Sequence, residues 1–260
     1  MFGAAPCPTP LLTDQPIFGH RGHPATYGQS YSEPPMFTQE TFDFLRDLRA
    51  NNRKDWFEQN RARYERHAKG PLLQFVQEVR PHLAQVSRHY AATEASVFRL
   101  HRDVRFSHDK SPYKTHLAAQ FRHGMVGGPL SESVHAPGFY FNLAPEGFGE
   151  MEGVFGGFGM WQPPADVLLA VRNRIAAAPA EWQAAVHGLE LAGSTLKRPP
   201  QGFAADHPQI IDIKRKDFMA IAHFSEADAL RPDFAELFAA AMQRGAGLQR
   251  FLCGAVGLPF

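Results

Sequence analysis

Apolar residues recur at helical spacing from Thr38 onward. Phe42, Leu45 and Leu48 fall at threes and Phe44 with Leu48 at four, which predicts a helix that closes at Ala50-Asn51-Asn52. Asn52 with Asp55 three residues later has the form of a short capping box. It would open a second helix with Trp56, Asn60 and Tyr64 on one face. Gly70-Pro71 breaks the pattern and starts a third helix carrying Leu72, Phe75, Val76, Val79, Leu83 and Val86, and Pro81 inside it predicts a kink.

The period then changes to two. In residues 98–106, Phe98, Leu100, Val104 and Phe106 alternate with Arg99, His101, Asp103 and Arg105; in 113–122, Tyr113, Thr115, Leu117, Ala119 and Phe121 alternate with Lys114, His116, Ala118, Gln120 and Arg122. Two half-buried strands are predicted, joined by the turn residues of "SHDKSP" into a hairpin with one apolar and one charged face. Further strands are expected at "GFYFNL" (138–143), at the glycine-rich 150–161, and weakly at 214–224. Pro163-Pro164 introduces a helix through Leu168, Val171 and Ile175; a short helix surrounds Trp182, and a last one runs from about Pro232 toward Gly245. Helices, a mostly antiparallel sheet with a charged hairpin, then helices again: the fold class is α+β.

Residues 1–35 stand apart, with seven prolines and no sustained apolar period. They predict a flexible, disordered leader ahead of a single α+β domain over 36–260. The 260 residues are 44% hydrophobic and 20% charged with a net charge of +1, an ordinary globular balance. Near-neutral charge argues against binding nucleic acid or membrane over the whole surface, so any anion recognition must be local. Two cysteines near opposite ends form neither a disulfide framework nor a zinc spacing. With no apolar run long enough to span a membrane and no secretory signal pattern, a cytoplasmic location is the expectation.

Charge does concentrate in residues 98–122, where six Lys or Arg (Arg99, Arg102, Arg105, Lys110, Lys114, Arg122) meet two acids (Asp103, Asp109). Guanidinium and ammonium groups on rigid strands suit a phosphate or carboxylate. A solvated face laced with ion pairs is the plain alternative. Arg102 is the informative exception, because the alternation places it on the apolar side. It must either pair with an acid such as Asp109 or face a pocket, since a buried lone guanidinium costs several kcal/mol. His101-Arg102-Asp103 has the spacing of part of an iron facial triad, with His116, His135 or His223 as third ligand, but flanking arginines would repel a cation, and no metal is assigned. "GVFGGFG" is neither a phosphate loop nor a dinucleotide fingerprint, and no nucleophile elbow occurs. Lys197, Arg198, Lys214, Arg215 and Lys216 form a second basic region that either joins the hairpin around a ligand or is a solvated loop. Trp56, Phe57, Trp161 and Trp182 are expected in the core.

"FRLHRDVRFSHDKSPYKTH" resembles the signature R-x-x-R-D-x-R-F-x-x-D-K-x-x-Y-K of a bacterial and fungal family, domain of unknown function 2461. "FTQETFDFLRDLRANNRKDWFEQNRARYE", "PGFYFNL" and "LKRPPQGFAADHP…IKRKDF" extend the resemblance over roughly residues 36–245. The resemblance implies no activity or cofactor. It marks Arg99, Arg102, Asp103, Arg105, Phe106, Asp109, Lys110, Tyr113 and Lys114 as matching positions, and it places Asn142 where relatives often carry His. Three functions compete. In the first, Arg99, Arg102, Arg105, Lys110 and Lys114 hold a small phosphate- or carboxylate-bearing ligand, with Asp103 or Asp109 as acid–base and Tyr113 as proton donor. In the second, the basic face binds nucleic acid with Tyr140 for stacking. In the third, the motif is a structural ion network.

Overall fold

The computed structural model describes residues 35–126, 135–147 and 152–260. The expected leader falls on residues 1–35 and so lies, but for Pro35, outside them.

The first helix forms as the spacing predicts, Gln39–Ala50, with Phe42, Phe44, Leu45 and Leu48 fully buried. The next helical stretch runs in pieces, Lys54–Gln59 and Arg61–Tyr64, followed by a π-helical turn at Glu65–Lys69. That turn passes directly into the long helix Gly70–Val86, which continues through Pro81. Asn52 does not cap: Arg53 occupies the N-cap position with no side-chain cap bond.

Among the described residues, six strands form one antiparallel sheet: β1 (Tyr90–Ala91), β2 (Leu117–His123), β3 (Gly138–Leu143), β4 (Val154–Met160), β5 (Leu191–Ala192) and β6 (Phe218–Phe224), in the order β1-β2-β3-β4-β6-β5. The register sorts the side chains onto two faces. Ala119, Phe141 and Gly156 are cross-strand neighbours, as are Phe121, Phe139 and Phe158. This face meets the helices Gly70–Val86 and Phe234–Arg244: Phe75 packs 4.2 Å from Phe141 and Phe238 5.5 Å from it, ring centre to ring centre. The other face carries Ala118, Gln120, Tyr140, Gly157, Met219 and Ile221. The α+β class and the antiparallel sheet are as the sequence predicts.

The expected hairpin is only half there. Its second arm yields β2, but residues 98–106 form no regular strand. They follow β2 through isolated bridges, Val97 with Ala119 and His101 with Tyr113. The bonds Phe98 N to Ala118 O (3.0 Å), Lys114 N to Leu100 O (2.8 Å) and Arg102 N to Pro112 O (2.9 Å) complete the pairing. Two residues separate Phe98 from His101, whereas four separate Tyr113 from Ala118, so Thr115 and His116 bulge from the second arm. Because bridge partners share a face, His101 lies beside Tyr113 rather than with the cations. Its ring is 5.1 Å from Tyr113 and 6.4 Å from Phe57. Beyond Arg102 the chain leaves the sheet. Asp103 turns back to accept the Arg105 amide at 3.2 Å, a local bond that competes with strand pairing, and Phe106, expected on the apolar face, is 96% exposed.

The Trp182 helix, Pro179–Val186, and the helix Ala165–Ala177 form where predicted. Trp182 is fully buried and donates to Asp212 at 2.8 Å, and Phe57 is buried too. Trp161 departs from expectation and is 44% exposed. A further helix, Ala246–Ala255, follows the predicted last one and buries Leu248, Phe251 and Leu252. No helix among the described residues is long and apolar enough to cross a membrane.

Candidate functional site

The end of the first helix, Asn52 in the link after it and the irregular 102–116 segment line a polar cavity of about 350 Å³. Asn52 fixes the two sides of this site. Its Oδ1 accepts the Tyr113 amide at 3.0 Å and its Nδ2 donates to the Tyr113 carbonyl at 2.8 Å, so one side chain reads a strand edge as another strand would. The Tyr113 ring is buried and stacks on Phe57 at 4.4 Å, and burial raises its phenol above the ordinary value. Tyr113 is therefore an anchor of the cavity wall.

Arg102 resolves the question its position poses by doing both things at once. Its Nη1 is paired with the Asp109 carboxylate and bonds the Ser111 carbonyl at 3.2 Å, while its side chain keeps 28% of its exposure and lines the cavity. The guanidinium is both paired and partly exposed, so it is not a buried lone charge and that penalty does not arise. Asp109 also accepts the Ser111 amide at 2.9 Å. Ser111 first, and then Arg102, hold the Asp109 carboxyl down at about 2. Arg49 reaches in from the last turn of the first helix and donates to the Gly147 carbonyl at 3.1 Å. Lys114 lies 4.9 Å over the Phe98 ring; burial, then Arg99, lowers its ammonium below the usual lysine value. The bulge delivers Thr115 and His116 to the same cavity. Burial first, then the Lys114 charge, pushes the His116 imidazole down to about 4, so it is neutral at pH 7.

The sequence-predicted residues thus divide. Arg102, Lys114, Asp109 and Tyr113 line the cavity. Asp103 and Arg105 instead form an exposed bidentate pair, with Nη2 to Oδ2 at 2.7 Å, that holds the Asp103 carboxyl at about 2. Lys110 donates to the Val104 carbonyl at 2.9 Å, and Arg99 is exposed outside the cavity. The second basic region is at the β5–β6 end of the sheet, where Arg215 pairs with Asp212 at 2.9 Å, and it lines no part of this cavity. Arg49, Asn52, Thr115 and His116 join the site without having been assigned to it. "ANN" did mark a helix end, but no local signal showed that its second asparagine would pair with a main chain 61 residues away. Asn142 is buried in β3 and donates to the Gly153 carbonyl at 3.0 Å, away from the cavity.

A second hollow opens on the sheet face that Gln120, Tyr140, Gly157 and Ile221 share. Its volume is about 450 Å³, its walls include Phe98, Phe155 and Trp161, and Lys114 is common to both hollows.

Residues 40–251 match the family model described as a conserved hypothetical protein, domain of unknown function 2461. No curated protein and no solved structure matches the chain.

Proposed function

Since the chain belongs to the family of conserved hypothetical proteins with domain of unknown function 2461, whose description carries no activity, we propose from the site itself that it binds a small phosphate- or carboxylate-bearing molecule in the polar cavity. The observation that carries this reading is the meeting of Arg49, Arg102 and Lys114 around one concave space where, among the described residues, Asp109 is the one lining carboxylate. His116, uncharged at neutral pH, adds an imidazole that can donate or accept one hydrogen bond without adding charge. Asp103 and Asp109 are each held ionised by arginine or serine partners, so the reading gives them positioning roles and routes no proton through them near pH 7.

A thermal-shift screen with inorganic phosphate, nucleotides and short carboxylates tests it. A ligand at 100 times its Kd adds about 2.7 kcal/mol of stability, and the melting temperature should rise with concentration. The Arg102–Asp109–Ser111 bonds favour a second reading, in which the motif only ties the loop to the sheet. In that case no anion in the screen moves the melting temperature, while Arg102→Met still destabilises the fold. A shift confined to single-stranded oligonucleotides and lost at high salt would instead favour the nucleic-acid reading.

A further inference from the structure

We propose that the two hollows are one binding site for an aromatic anion, with the anionic group in the polar cavity and a planar ring in the sheet-face hollow. This rests on the anion reading above and specifies its substrate class. Lys114 carries the argument, since it lines both hollows and is, among the described residues, the one ionisable cation lining the second. A ligand held there is thus apolar along the sheet and negative only where it approaches Lys114.

The shape of the hollow selects the ring. Gly157 and Gly159 leave the β4 floor as bare backbone, while Phe98, Tyr140, Phe155 and Trp161 stand around it. A flat floor between aromatic walls suits a planar ring, which gains both apolar burial and ring–ring contact. Phe98 and Tyr140 already lie edge to face at 6.0 Å, and Tyr140 and Phe155 pack with tilted rings at 5.9 Å, so the walls are built before any ligand arrives. Trp161 is the exposed wall, its carbonyl bonded to His135 Nδ1 at 2.7 Å. Gly157 is also a handle. A Cβ there would meet Met219 and Tyr140 at 3.6 Å, an ordinary contact, so a larger side chain would fill the hollow and leave the β3–β4–β6 pairing in place.

The experiment compares 1-naphthyl phosphate with inorganic phosphate by isothermal titration against the wild-type chain, Gly157→Leu and Lys114→Met. Wild type should bind 1-naphthyl phosphate roughly tenfold or more tighter than phosphate, the factor that burying about two ring carbons supplies. Gly157→Leu should lose that advantage and keep its phosphate affinity, and Lys114→Met should weaken both ligands. Met219→Glu, which puts a negative charge on the hollow's wall, should act like Gly157→Leu and covers the case in which the leucine variant fails to fold. Equal affinities for the two ligands in wild type, or an advantage that survives both Gly157→Leu and Met219→Glu, would overturn the inference and leave the anion reading intact. Binding of neither ligand would overturn the anion reading and the inference with it. A wild-type dimer that Gly157→Leu converts to monomer would also overturn the inference, because a second copy of the chain would then fill the hollow.

Discussion

Asn52 makes two bonds to the Tyr113 main chain that tie the end of the first helix to the cavity's far side. Removing its amide leaves the Tyr113 N–H and C=O at a half-buried edge without their partners, so Asn52→Ala should cost about 1–3 kcal/mol in urea unfolding. A change below about 0.5 kcal/mol, the range of an indifferent surface substitution, would show that Asn52 is not the link. His116 makes a prediction with a sign. Its folded value of about 4 lies below the 6.5 of an unperturbed histidine, so between these values the unfolded chain binds the proton more readily. Stability is therefore lost as pH falls from about 6.5 toward 4. At pH 5 the His116 share is on the order of 1–2 kcal/mol. His116→Asn should lose less stability than wild type between pH 7 and pH 5, and equal losses would refute the assignment. Asp103 and Asp109 do not confuse this window, because carboxyls held at about 2 contribute stability above 3.8 that disappears only in stronger acid. Half of this site was visible in the sequence: Arg102 among apolar neighbours raised the right question, and Asp109 was its partner. Arg49 and Asn52 were hidden because their roles depend on contacts far along the chain.

The elements were legible where period and length agreed. Gly138–Leu143 begins and ends where the strand was expected, and Gly70–Val86 follows its apolar stripe. The alternation at 98–106 misled because Asp103 and Arg105 satisfy one another within the loop, and nothing in the pattern marks the two-residue bulge that returns β2 to register. Ala246–Ala255 was missed because Gly245 read as the end of the last helix, although Leu248, Phe251 and Leu252 keep helical spacing after it. Glycines in β4 differ in a way the sequence cannot express. Gly159 has φ of +123° and a Cβ there would lie 2.0 Å from the Phe218 carbonyl oxygen, whereas Gly157 has room. Gly159→Ala should therefore destabilise by roughly 2–4 kcal/mol through the β4–β6 pairing. Gly157→Ala should stay within about 0.5 to 1 kcal/mol of wild type in the same denaturation series, and a reversal of that order would refute the strand geometry.

At the scale of the whole molecule, the described residues from Pro35 to Phe260 form one compact unit in which helices cover one sheet face and the other carries the apolar hollow. A chain of residues 36–260 should therefore unfold in a single cooperative transition by calorimetry, and two resolved transitions would contradict that unity. What this architecture achieves is to bring Arg49 from the first helix, Arg102 from the edge loop and Lys114 from the arm of β2 to one cavity. The clustering in the sequence was real, but the fold spends Arg105 and Lys110 on holding the loop and recruits a cation from elsewhere. The central claim is that these three cations bind an anion together. It is tested most directly by isothermal titration of inorganic phosphate into wild type and Lys114→Met at low salt. Saturable one-to-one heat in wild type, weakened roughly tenfold or more in a variant that still melts cooperatively, is the expected result for loss of one charge-assisted contact. Absence of saturable heat in wild type, or an unchanged affinity in Lys114→Met, would contradict it.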